Sequence, residues 1–156
     1  MQRLFDIIFS SMAIIVLSPI LFFVIILLRL TGEGEVFFIQ NRIGKGKTMF
    51  GLIKFVTMKK NSPSLGTGSI TIKDDPRVLP IGKYLRKAKI NELPQLFNIL
   101  YGHMSVVGPR PLTKDTFEAY DIKSQDIISK VTPGLSGLGS IVFRDEESIL
   151  SKGVDS

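Results

Sequence analysis

The chain has no cysteine and a single histidine, His103. The first absence excludes a disulfide framework, a thiolate nucleophile and a zinc knuckle, and the second excludes a multi-histidine metal site. Acidic residues are the minority, 14 against 20 Lys and Arg, for a formal charge of +6. That balance suits a partner bearing negative charge, such as phosphate, anionic lipid or nucleic acid, without choosing among them. No glycine-rich stretch has full Walker A spacing: Asn41-Arg42-Ile43-Gly44-Lys45-Gly46-Lys47 is a basic, glycine-punctuated loop, which argues against nucleoside triphosphate hydrolysis. At 156 residues the chain is sized for one modest domain.

Charge is also missing from one long stretch. Ile7 to Leu28 carries no ionisable side chain, is dense in Ile, Leu, Val and Phe, and lies between Arg3 and Asp6 on one side and Arg29 on the other. A helix of that length reaches across a hydrocarbon core of about 30 Å. The stretch is too long for a signal-peptide core, and no Ala-x-Ala site follows it. Ser18-Pro19 lies in its middle. Proline removes a backbone donor and bends a helix, and the serine hydroxyl can serve a carbonyl that the proline frees. On these residues a bent helix that returns to its own leaflet and an ordinary kinked span are both open. Nearly all basic residues follow the stretch, which predicts that the remainder is cytoplasmic.

After the membrane segment, Thr31-Gly32-Glu33-Gly34 ends the helix and Val36 to Ile39 reads as a short strand. Met49 to Phe55 is an apolar run closed by Lys59-Lys60, and Asn61 to Ser69 is a Ser/Gly/Thr-rich loop suited to closing over a substrate. Asp74-Asp75-Pro76-Arg77 is a turn, and Ile81 to Lys89 is a basic amphipathic helix suited to a membrane surface or to a solvated protein face. Asn91 is expected to cap a helix with Pro94 in its first turn, an arrangement whose free N–H groups favour an anion. Gly108-Pro109-Arg110-Pro111 is a rigid turn presenting a guanidinium fork, which suits two phosphate oxygens or simply a surface.

Taken in order, these segments resemble the bacterial sugar transferases, the monotopic polyprenol-phosphate phosphoglycosyltransferases. The resemblance rests on Ser18-Pro19, Gln40-Asn41-Arg42-Ile43-Gly44, Lys54-Phe55-Val56-Thr57-Met58, Asp75-Pro76-Arg77-Val78, Ile81 to Arg86, Glu92-Leu93-Pro94-Gln95-Leu96, Met104 to Pro111, and Pro133-Gly134-Leu135-Ser136-Gly137. It implies an α+β, mostly helical protein: a re-entrant membrane helix broken at Ser18-Pro19 over residues 1–30, then a small catalytic domain with interfacial amphipathic helices over 31–156. The family usually continues past the Pro-Gly block, so C-terminal truncation of that domain is part of the expectation.

The implied reaction moves a sugar-1-phosphate from a UDP-sugar to undecaprenyl phosphate. It releases UMP, uses Mg2+, and starts cell-surface glycan assembly at the cytoplasmic face of the bacterial inner membrane. Partners would be the two substrates, inner-membrane lipids and other glycan-assembly enzymes. Nucleic acid has only the net charge in its favour, with no aromatic-basic interleaving.

By resemblance Glu92 binds the metal, and Arg86, Arg110 and Arg144, with Lys54, contact phosphate or nucleotide. The preceding position, an Asp nucleophile in the family, is Asn91 here. An amide caps as well as a carboxylate but attacks phosphorus poorly. That leaves Glu92 or another carboxylate as nucleophile, direct attack by the acceptor phosphate, or a catalytically silent membrane-bound homologue acting as scaffold. His103 stands where the family usually has Asp, and Leu138 where it often has Trp. Asp145-Glu146-Glu147 reads as a solvated helix start.

Overall fold

The computed structural model describes residues 1–31, 34–60 and 75–137. The loop at 61–69, Leu138, Arg144 and the acidic cluster at 145–147 lie outside the described residues. The chain is a mixed α/β protein that combines helices with two small two-stranded sheets among the described residues.

Helix α1 spans Gln2–Thr31, 30 residues or about 45 Å. It runs through Ser18-Pro19 as one element, so the expected break is not an interruption of the helix. The reason is local. Pro19 cannot donate to the carbonyl of Ile15, and the Ser18 hydroxyl donates to that same oxygen at 2.8 Å.

One side of α1 packs on the rest of the protein along nearly its whole length. At its start, Arg3 donates to the Ile99 and Leu100 carbonyls, both at 2.6 Å. The buried Asp6 carboxylate accepts from Ser105 Oγ and from the Val106 N–H, both at 2.9 Å. Phe9, Ala13, Ile14 and Leu17 then cover a core of Phe50, Leu52, Leu96, Ile99 and Met104. Leu21, Val24 and Leu28 form a second core with Phe55 and Leu85. The i, i+3, i+4 recurrence of these positions makes them one helical stripe. The other side, including Ile8, Ile15, Phe22, Phe23 and Ile26, is apolar and exposed.

Asp6→Ala removes the acceptor from two donors. The expected cost is about 1–3 kcal/mol, read as a lower unfolding midpoint in detergent, with faster proteolysis near Ser105. An unchanged midpoint would mean that this end of α1 is held by apolar contacts alone.

Strands β1 (Phe37–Ile43) and β2 (Met49–Phe55) form an antiparallel hairpin from Phe37↔Phe55 to Ile43↔Met49. The strand therefore extends four residues beyond the expected Ile39, and only Lys45–Lys47 forms the turn, with Gly46 at φ 69°. The buried Asn98 amide bolts the far edge of β2 to the third helix. It accepts from the Ile53 N–H at 2.9 Å and donates to the Gly51 carbonyl at 2.8 Å.

Helix α2 (Pro80–Lys87) ends two residues earlier than expected. Lys89 adopts a left-handed conformation, φ 58°, and turns the chain into a 3-10 turn at Ile90–Glu92. Asn91 is thus inside that turn and buried, not a helix cap. Pro94 explains the difference: it has no N–H for the Ile90 carbonyl, which takes the Leu93 N–H at 3.1 Å instead, a 3-10 bond. Helix α3 follows at Gln95–Tyr101. Strand β3 (Ser105–Val107) pairs in parallel with β4 (Gly134–Ser136), and α4 (Lys114–Glu118) and α5 (Ile122–Ser129) lie between them in sequence.

Candidate active site

The hairpin carries Lys54 on β2, α2 carries Arg86, the 3-10 turn carries Asn91 and Glu92, and the turn after β3 carries Arg110. Glu92, Arg110 and Arg86, with Arg42 of β1, lie near enough to act electrostatically on the Lys54 amine. Four of the residues expected to bind phosphate or metal thus share one electropositive site, and Arg144 lies outside the described residues. Glu92 is the only acidic group among the described residues to act on Lys54.

Each position has a physical cause. Lys54 adjoins Ile53, the residue pinned by Asn98. Arg86 rides on a helix whose entry is fixed by a buried pair: the Arg77 guanidinium donates to both oxygens of Asp75, Nη2 to Oδ2 at 2.6 Å and Nε to Oδ1 at 2.9 Å, and holds that carboxyl below its ordinary range. The Arg110 turn is held from two sides. From β4, Gly108 donates to the Ser136 carbonyl at 2.9 Å and Gly134 to the Pro109 carbonyl at 2.8 Å. From β1, Arg42 Nη1 donates to the Pro111 carbonyl at 3.0 Å and Nη2 to Gln40 Oε1 at 2.7 Å. Gly108 and Gly134 approach so closely that a Cβ on either would strike the other's backbone, so the two distant blocks need glycine there.

Arg42 and Asn98 were missed as site-building residues. Arg42 had a signal, the Gln-Asn-Arg-Ile-Gly block, whereas a lone Asn in a helical pattern carries none. His103 is exposed and stacks on Phe50 with ring centroids 5.8 Å apart, a packing role at the end of α3.

Burial pushes the Lys54 amine down from 10.5 to about 8; Glu92 pulls it up, and Arg42, Arg110 and Arg86 push it further down. The protonated form is the one that holds phosphate, so UMP affinity should be level between about pH 7 and 8, where the phosphate is a dianion, and fall above it, by up to about tenfold per unit. Lys54→Met should bind more weakly with no break near pH 8, and an unaltered break would place the titrating group elsewhere. For folding the sign is opposite: the unfolded chain keeps this proton to about 10.5, so this residue's contribution to stability rises between about pH 8 and 10.5.

Asn91 Oδ1 is buried and has no hydrogen-bond partner. It adjoins Glu92 in sequence in the same turn, which therefore carries a carboxylate and a neutral oxygen without a hydrogen-bond partner. That donor set fits magnesium, which takes oxygens and commonly completes its shell with water and substrate phosphates rather than a protein cage. No cluster of three or more His, Cys, Asp or Glu side chains that could hold a metal ion occurs among the described residues.

The family model described as "Bacterial sugar transferase" matches residues 1–155. The exopolysaccharide production protein ExoY of Sinorhizobium fredii is 34% identical over 97% of this chain and 73% of its own length. A UDP-glucose:undecaprenyl-phosphate glucose-1-phosphate transferase of Klebsiella pneumoniae is 39% identical over 97% of this chain and 33% of its own. A UDP-N-acetylgalactosamine-undecaprenyl-phosphate N-acetylgalactosaminephosphotransferase of Aeromonas hydrophila is 38% identical over 90% and 34%.

Proposed function

This chain belongs to the bacterial sugar transferase family, and we propose that it transfers a sugar-1-phosphate from a UDP-sugar to undecaprenyl phosphate at the cytoplasmic face of the inner membrane. The observation that carries the reading is that Arg42, Arg86 and Arg110 act on Lys54 together with one carboxylate among the described residues, Glu92. A diphosphate and a phosphate monoester must meet here, and repulsion between them is the first barrier to reaction. Fixed cations remove it and stabilise the charge that moves onto the leaving phosphate.

Glu92 and Asn91 Oδ1 are the oxygens that would hold magnesium, which when bound neutralises diphosphate charge. Because the side chain at 91 is an amide, transfer goes by direct displacement. An oxygen of the acceptor phosphate bonds to the phosphorus that bears the sugar. The bond from that phosphorus to the bridging oxygen breaks, and UMP leaves with the electron pair. The chain's residues hold and orient; none needs to carry the sugar phosphate.

Helix α1 supports membrane attachment without crossing. It is long and apolar enough to span, yet its first turns bond to α3 and β3 while Leu21, Val24 and Leu28 pack with Phe55 and Leu85 of the same domain. A crossing helix would separate those ends by the bilayer core, about 30 Å. The exposed apolar side of α1 is the face for lipid.

The test is transfer of label from β-32P-labelled UDP-sugars to a butanol-soluble lipid by purified protein with undecaprenyl phosphate and Mg2+. Labelled lipid from at least one donor is the expected result. No labelled lipid from folded protein with any of a galactose, glucose, N-acetylglucosamine and N-acetylgalactosamine donor would favour the silent homologue.

A further inference from the structure

Three consecutive residues of β1 are large, apolar and exposed: Phe37 (47%), Phe38 (45%) and Ile39 (63%). A strand with one wet face alternates, so apolar groups on both faces mean that neither faces plain water. The faces differ. Phe37 stacks on Phe55 at 5.5 Å, and Phe55 is buried with Leu21, Val24 and Leu28 of the membrane helix, so that face borders the core by which α1 packs on the domain. Phe38 is on the opposite face, directly across from Lys54 in the hairpin register, with Arg42 further along the same face.

We propose that Phe38 is a binding residue for the hydrocarbon chain of the polyprenyl phosphate acceptor, receiving the units nearest the phosphate while Lys54 and its arginines hold the head. The inference rests on the transferase reading for the acceptor's identity. It goes beyond that reading by giving the lipid an entry point: the cationic site, then Phe38 and the exposed apolar residues of β1 beside it. An aryl ring beside a cationic cluster also suits a nucleobase. A uracil edge needs polar partners, however, and the nearest side chain along the face of Phe38, Gln40, is turned to Arg42 with its Oε1 engaged at 2.7 Å. A hydrocarbon chain needs none.

The experiment measures equilibrium binding of undecaprenyl phosphate, and separately of UMP, to detergent-purified wild type, Phe38→Ser and Phe38→Leu. Serine should weaken the lipid about tenfold, or about 1.4 kcal/mol, with UMP binding unchanged. Leucine, which keeps most of the apolar surface, should stay within about twofold of wild type for both. Unchanged lipid binding in Phe38→Ser, absent lipid binding in wild type, or a loss confined to UMP would each overturn the proposal, the last assigning Phe38 to the base. Should the serine variant not fold, a leucine variant as weak as tenfold would equally overturn it, and lipid cross-linking to residues 37–39 by a benzophenone-tailed polyprenyl phosphate, competed by undecaprenyl phosphate, would uphold it. Turnover is not the readout: protein that binds lipid through Phe38 yet transfers nothing would sink the transferase reading alone.

Discussion

Glu92→Gln lowers UMP release by about 10²- to 10³-fold and leaves the fold intact. The substitution keeps size and shape and removes one negative charge from a site where four cationic side chains otherwise meet. Two consequences follow from that one charge. The oxygen pair offered to magnesium becomes two neutral amides, so the metal requirement should rise steeply. The Lys54 amine loses the only group among the described residues that draws its proton affinity upward, so the break in UMP affinity should move below about pH 8. Measuring turnover against Mg2+ concentration, and UMP binding against pH, separates a site effect from unfolding. A misfolded variant would lose UMP binding at every pH. A variant with wild-type turnover would remove Glu92 from the reaction.

Asn91→Asp should raise turnover by more than about tenfold, or about 1.4 kcal/mol of barrier, and change the order of events. The side chain is 8% exposed, and its oxygen has no hydrogen-bond partner. A carboxylate there faces no competing donor for its attacking oxygen. With a nucleophile present, mixing enzyme and UDP-sugar without acceptor should release about one UMP per enzyme, because the phosphosugar stays on Asp. Rapid-quench measurement of UMP reads this directly. A variant with neither burst nor faster turnover would mean that position 91 is not aligned with the reacting phosphorus.

Much of the architecture was legible in the chain. The charge-free run at 7–28 lies in α1, the apolar runs on either side of Gly44 and Gly46 are the hairpin, and Arg86, Glu92 and Arg110 lie within electrostatic reach of Lys54. What stayed hidden was relational. Arg3 and Asp6 read as the flank of a membrane segment, yet they are the polar end of the stripe that docks α1 on β3 and α3, and nothing local names their partners. Asn91 had every mark of a cap, and one missing N–H three residues on made it the middle of a 3-10 turn. Asn98 and Arg42 matter because of the edge and the carbonyl they reach, 45 and 69 residues away in sequence.

The most direct test of direct displacement by a competent site is UMP release by the unmodified chain, with and without undecaprenyl phosphate, at saturating UDP-sugar and Mg2+. The account predicts continuous release with acceptor and none without it, not even the first equivalent. Acceptor-free release of about one equivalent would contradict it by showing that a side chain, with Glu92 foremost, takes the sugar phosphate, and no release under either condition would contradict the transferase itself.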